Sequence, residues 1–280
     1  MQTRPYRSAL YIPGSKDRAL DKARGLPVDA ILFDLEDAVA PDAKVAARDT
    51  LNAALTTGGY GQRQRIVRIN GLDTEWGKAD TAAVAAMDCD AVLLPKVNST
   101  DDVDALAALI PDLPIWAMME TPQGVLNAAD IAAHPRMAGF VLGTNDLAKD
   151  LNSRGRPALA TSLQLCLLAA KAAGIVALDG VYNAFKDEDG LRAECVEGRD
   201  MGFDGKTLIH PAQVAITNEV FGPTADEIDL AQRQIAAFEA AEADGQGVAV
   251  VDGRIVENLH IVTARATLAK ADAIAALEST

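Results

Sequence analysis

Three features of the sequence predict an α/β fold, a (β/α)8 barrel followed by a C-terminal helix–hairpin–helix extension. Short apolar runs recur eight times, at residues 9–12, 30–33, 66–69, 91–94, 115–119, 139–142, 175–178 and 206–209, with longer Ala-rich amphipathic segments between them. The runs are nearly continuous in hydrophobicity rather than alternating, as in parallel strands buried on both faces. Polar residues follow the apolar part of almost every run, and in a barrel such positions converge on one mouth.

The spacing fits βα units of roughly 25–30 residues, and eight of them favour a closed barrel over an open doubly wound sheet. No Gly-x-Gly-x-x-Gly follows any run, which argues against dinucleotide binding. The first run ends on Tyr11-Ile12-Pro13-Gly14-Ser15 and opens a helix. The second leads into Glu36 and Asp37, the third carries Arg68 and ends near Asn70, and the fourth is followed by Lys96. The fifth is stopped by Thr121-Pro122 just after Glu120. The sixth is followed by Gly143-Thr144-Asn145-Asp146, the seventh by Asp179 and the eighth by His210. Asp17, Asp42 and Ser99 read as helix N-caps.

After Pro223 the pattern changes. Residues 225–243 form an acidic helical stretch, and Asp244-Gly245-Gln246-Gly247 breaks it. Two short apolar stretches flank Asp252-Gly253, a hairpin signature. Residues 260–277 close the chain as a helix. The expected division is a barrel over 1–222 and an extension over 223–280 that acts as a structural cap or a mobile lid.

Composition narrows the function. Apolar residues make up 49% of the 280, charged residues 24%, and the net charge is −14. An acidic surface of this kind argues against general nucleic-acid binding. Cys89, Cys166 and Cys195 are far apart and form no CxxC pair, so neither a disulfide framework nor a thiolate metal site is expected. The N-terminus lacks a long apolar stretch, and no run approaches the roughly 18 apolar residues of a membrane span. A cytoplasmic protein is expected.

An acid at the end of a buried strand is costly unless something compensates it. Glu120 and Asp146 follow consecutive strands and would lie side by side, each raising the other's pKa. A divalent cation resolves this repulsion, and so does pairing of Glu120 with Arg68 or a lysine. His134, His210 and His260 are scattered, which disfavours zinc; oxygen ligands suit Mg²⁺. Glu36 and Asp37 are candidates to order water around such a metal, or else a cap and a surface charge. Arg68 suits bidentate recognition of a substrate carboxylate, or pairs with Glu36 or Glu120. Backbone N–H groups at Gly143, Thr144 and Asn145 are candidates to bind a carboxylate beside the cation. The first 25 residues hold Arg4, Arg7, Lys16, Arg18, Lys22 and Arg24. This basic edge suits a phosphorylated ligand or is a solvated helix face.

Several segments, in order along the chain, resemble one family. They are residues 8–15 with Lys16 and Arg18, residues 33–39, Arg68-Ile69-Asn70, Pro95-Lys96-Val97, Met119-Glu120-Thr121-Pro122, residues 143–147, Asp179-Gly180-Val181-Tyr182, and residues 206–211 with Gln213. The set is similar to the HpcH/HpaI aldolase–citrate lyase family, in particular its citrate-lyase-beta-like acyl-CoA lyases. The resemblance implies a TIM barrel with a C-terminal lid, assembled as a homotrimer or a hexamer with lids exchanged between subunits. It implies Mg²⁺ on Glu120 and Asp146, Arg68 on the 2-oxo acid, and coenzyme A along Pro13, Lys16 and Arg18. It implies a catalytic acid from the lid, where Glu257 stands in place of the more common Asp. The expected activity is Mg²⁺-dependent carbon–carbon cleavage of a malyl-CoA or citramalyl-CoA type ester to acetyl-CoA and a 2-oxo acid. The alternatives are a citrate lyase beta subunit, a malyl-CoA thioesterase and a non-catalytic CoA-ester-binding barrel.

Overall fold

The computed structural model describes residues 4–279. The strands β1 (Ser8–Pro13), β2 (Ala30–Asp34), β3 (Gln64–Arg68), β4 (Ala91–Leu94), β5 (Ile115–Met119), β6 (Met137–Leu142), β7 (Val176–Asp179) and β8 (Gly205–Leu208) form a closed barrel in sequence order. All pairs are parallel, and β1 closes on β8 through Ser8 opposite Lys206. Helices separate the strands, as an all-parallel sheet requires.

Successive strand residues face opposite sides, and this period of two decides the site. Ala9, Ala30, Leu32, Ile66, Ala91, Leu93, Trp116, Met118, Val141 and Leu178 pack together as one buried cluster. Gly139 lets the Trp116 ring in, since a Cβ there would stand 2.6 Å from it. One step further along the same faces come Tyr11, Asp34, Arg68 and Glu120. The cluster is the barrel's apolar interior, and these four residues cap it at the carboxyl end. Asp34 and Arg68 stand directly opposite each other across β2 and β3. Asp179 and Lys206 have the other parity and face away from the interior.

The ends of the elements are fixed by local chemistry. Thr121 caps the helix Pro122–Leu126 by accepting a hydrogen bond from the Gly124 N–H at 3.0 Å. Ser99 caps the helix Thr100–Ala107, as expected, whereas Asp17 is the first residue of its helix, after Lys16, and Asp42 the second of a short helical turn, after Ala40 and Pro41. The three cysteines are free and buried.

The chain divides into two compact units, Tyr6–Asn218 and a second that takes in the chain from Glu219 onward. In the second, the helices Ala225–Ala243 and Asn258–Glu278 flank a hairpin of β9 (Ala249–Val251) and β10 (Arg254–Val256). Asp252 and Gly253 turn it with φ of 50° and 74°, the left-handed pair that a two-residue hairpin requires. Phe238, Ala249, Val251, Val256 and Ile261 form its core. Among the described residues, no helix is long and apolar enough to cross a membrane.

Candidate active site

The carboxyl end of the barrel holds a cavity of about 310 Å³, lined by Tyr11, Asp34, Asp37, Arg68, Met118, Glu120, Gly143, Thr144, Asn145, Asp146 and Thr207 among others. Arg68 lies at its centre and is buried. Its Nε donates to Asp34 Oδ1 at 2.8 Å and its Nη2 to Asp34 Oδ2 at 2.6 Å, a two-pronged pair. Asp34 also accepts from the N–H groups of Glu36 and Ala38, each at 2.9 Å, so its carboxylate is fully occupied. The paired edge of the guanidinium therefore faces the protein. Only Nη1 remains, 2.7 Å from Glu36 Oε2 and 3.4 Å from Asp37 Oδ2, and the Arg68 plane covers the Tyr11 ring at 4.9 Å. Sequence reasoning weighed Glu36 and Glu120 as partners for Arg68 and missed Asp34. The signal was present: Asp34 shares the parity of Ala30 and Leu32.

Glu120 is 2% exposed. Its Oε1 accepts from the Lys96 N–H at 2.9 Å. Gly143 packs on the same carboxylate, and a Cβ at that position would collide with it. Burial pushes the Glu120 pKa up to about 7; the Lys96 N–H and Arg68 oppose the rise, and Asp146 adds to it. Glu36 is also pushed up to about 7, by burial first, against Arg68, with Asp37, Glu120 and Asp34 reinforcing it. Glu36 Oε2 has no aligned hydrogen-bond donor despite its nearness to Arg68.

Asp146 sits in the first turn of the helix Thr144–Asp150, half-buried beside Glu120 on the cavity wall. Five carboxylates, Asp34, Glu36, Asp37, Glu120 and Asp146, thus meet two cations, Arg68 and Lys96. Among the described residues, no three His, Cys, Asp or Glu side chains gather so as to hold a metal by themselves. Two carboxylates with surplus negative charge, completed by water and substrate oxygens, fit Mg²⁺ and do not fit zinc.

The other expected site residues are placed as follows. The Gly143 N–H donates to Met119 O at 3.1 Å and is not free for a ligand. Thr144 and Asn145 line the cavity, and Asn145 exchanges side-chain hydrogen bonds with Asn183 at 2.7 and 3.3 Å. Pro13 ends β1, and Lys16 and Arg18 are exposed at the start of the helix Asp17–Ala23, outside the cavity lining. Of the other basic residues near them, Arg7 is drawn into a buried pair with Asp29, and Arg24 pairs with Asp21. Glu257 belongs to the second unit, where it precedes the helix Asn258–Glu278 and donates its N–H to His260 Nδ1 at 3.1 Å. Asp179, read with the mouth residues, turns outward and pairs with Lys206 and Arg156.

A closed barrel whose mouth gathers acids around one buried guanidinium has the build of a (β/α)8 enzyme, with its chemistry at the carboxyl ends of the strands. The HpcH/HpaI aldolase/citrate lyase model matches residues 7–211, and the chain belongs to that family. It is 70% identical over 278 residues to the (3S)-malyl-CoA thioesterase of Cereibacter sphaeroides, covering 98% of each chain. It is 36% identical to the citrate lyase subunit beta of Escherichia coli, over 97% of this chain and 95% of that one. The structure of CitE from Mycobacterium tuberculosis in complex with magnesium, acetoacetate and coenzyme A superposes with a TM-score of 0.82 at 28% identity, covering 97% of this chain and all of that one. These relatives correct the expected activity. At 68–70% identity the chain resembles enzymes named as thioesterases, which favours the thioesterase alternative over the expected carbon–carbon cleavage.

Proposed function

We propose that this protein is a thioesterase that hydrolyses the CoA ester of a short hydroxy diacid of the malyl-CoA type. The observation that carries this reading is the 70% identity, over 98% of both chains, with a (3S)-malyl-CoA thioesterase. The cavity supports it: about 310 Å³ is at the low end for ligand sites and suits a four-carbon acyl group, with the coenzyme left outside.

In this reading Glu120 and Asp146 hold a divalent cation, Mg²⁺ by their donor type. The cation supplies Lewis-acid polarisation of the substrate oxygens. Arg68 Nη1, the one edge not committed to Asp34, faces the negative charge of the acyl group. Burial raises the Glu36 pKa to about 7. That value suits a general base that takes a proton from water near neutral pH. The water oxygen bonds to the thioester carbonyl carbon, the carbon–sulfur bond breaks, and the sulfur leaves with a proton as free CoA. Asp34 keeps Arg68 from swinging onto Glu36 alone. Pro13, Lys16 and Arg18 line the barrel rim along which the coenzyme runs. Assembly as a trimer or hexamer belongs to the same proposal and is read by light scattering.

The test is a product assay on purified protein with (3S)-malyl-CoA, with Mg²⁺ or EDTA. Malate and free CoA thiol in equal amounts, lost with EDTA, are expected. Acetyl-CoA and glyoxylate in their place would overturn the reading.

A further inference from the structure

Three described non-glycine residues have positive φ: Asn152, Asp252 and Lys96. Asn and Asp tolerate this region because their short side chains bond locally, whereas Lys has no such excuse. Lys96, with φ of 52°, comes two residues after the end of β4. Strain of this kind persists only where the surroundings over-determine it, and it gathers at functional sites.

The surroundings here are explicit. The Lys96 carbonyl accepts from Asn98 Nδ2 at 3.0 Å. Asn98 Oδ1 accepts from Thr121 Oγ1 at 2.7 Å, and Asn98 O accepts from Asn127 Nδ2 at 2.7 Å. Gly124 packs so closely on the Val97 carbonyl that any Cβ there would overlap it. The turn after β4 is thus clamped to residues 121–127, which immediately follow Glu120. The left-handed residue inside this clamp aims one free N–H at Glu120 Oε1, 2.9 Å away.

We propose that Lys96 is a positioning residue whose strained backbone, rather than its ammonium group, fixes the rotation of the Glu120 carboxylate for a divalent cation. This rests on the cation reading of Glu120 and Asp146 given above. One oxygen is pinned by the Lys96 N–H, which leaves the carboxylate a single preferred orientation. The ammonium is exposed at the edge of the acid cluster, where the fields of Glu36, Asp146, Glu120 and Asp37 outweigh partial burial and raise its pKa.

The test separates backbone from charge by titrating Mg²⁺ into the full-length, metal-free protein and reading the heat of binding. Lys96→Gly and Lys96→Asn remove the ammonium but accept a left-handed backbone, and they are expected to bind Mg²⁺ about as tightly as wild type. Lys96→Val removes the same charge but resists positive φ, so its peptide turns away from Glu120. A loss of about 10–100-fold in affinity is expected, the usual cost of losing a group that orients a metal ligand. Lys96→Ala resists positive φ less and should fall between, which keeps a readout if the Val variant folds poorly by circular dichroism. Equal affinities for the Gly and Val or Ala variants, with wild type binding, would overturn the role of the backbone. A wild-type protein that binds no Mg²⁺ would overturn the cation reading, and this inference with it.

Discussion

Two groups of buried charge sit near the carboxyl ends of the same barrel and differ by one step of strand parity. Facing outward, Lys206 Nζ lies 2.8 Å from Asp179 Oδ2 and 2.6 Å from Glu194 Oε1. Arg156 adds contacts of 2.9 Å to Asp179, 3.7 Å to Glu194 and 2.9 Å to Glu197. Asp179 and Lys206 are fully buried, and each charge has an opposite partner. Facing inward, Arg68 is shared among Asp34, Glu36 and Asp37, and Lys96 is the other cation near Glu120 and Asp146 among the described residues. Burying charge is costly wherever it happens. The outer group sets two cations against three carboxylates, one of them, Glu197, half-exposed, while the inner group sets two cations against five and is left much shorter of positive charge. The difference teaches where a ligand is wanted: at the group that the fold alone does not complete.

The comparison breaks most visibly in stability. Lys206→Met leaves Asp179 and Glu194 with Arg156 alone, and an uncompensated buried charge costs about 3–5 kcal/mol. Urea unfolding should show that loss, while kcat/KM per folded molecule stays near wild type. A fall in kcat/KM per folded molecule would make the outer group part of the site. Glu120→Gln should do the reverse. Thioester hydrolysis falls by about 10²–10³-fold, the loss expected for one preorganised electrostatic group, while the metal-free protein gains stability above pH 7.

Titration sharpens the same contrast. Glu120 has its folded pKa pushed up to about 7 from the ordinary glutamate value of 4.5. Below 4.5 both folded and unfolded forms are protonated. Between these values the unfolded chain releases its proton first, so metal-free stability falls as pH rises through this window and then levels off. The limit is of order 3 kcal/mol for Glu120. Mg²⁺ needs the deprotonated ligand, so its affinity rises with pH up to about 7. Urea unfolding at pH 5, 6, 7 and 8, with and without Mg²⁺, reads both slopes. A pH slope unchanged in Glu120→Gln would remove Glu120 as its source.

Much of this contrast was legible in the sequence, and the missing part has a physical reason. The run at residues 9–12 becomes β1 and the run at 91–94 becomes β4 because fully buried parallel strands need continuous apolar sequence. Glu120, Arg68 and Asp146 stood out because a charge at the end of such a run has few harmless explanations. Parity was the step not taken. Counting by two from Leu32 gives Asp34, and counting by two from Ala177 gives Asp179 on the outer face. Lys96 was visible as a residue but not as a left-handed one, because Pro-Lys-Val encodes no positive φ; the clamp from Asn98 and Gly124 imposes it. The reaction itself was out of reach, because a carboxylate at a strand end does not tell hydrolysis from carbon–carbon cleavage, and relatives of this chain are named as a thioesterase and as a citrate lyase subunit.

The smallest expected effect lies at the rim of the inner group. Asp37 is two-thirds exposed and 3.4 Å from Arg68, so Asp37→Asn should change stability by less than about 0.5 kcal/mol. Its field nevertheless helps to raise the Glu36 pKa. Removing that charge lets Glu36 ionise at lower pH, so the acid limb of the kcat/KM profile for malyl-CoA should move to lower pH. The same substitution frees Arg68 Nη1 of one competitor, which favours binding of the acyl group, so KM should fall rather than rise. An acid limb that stays in place would show that another group governs it, and Glu36 would lose its place as the base.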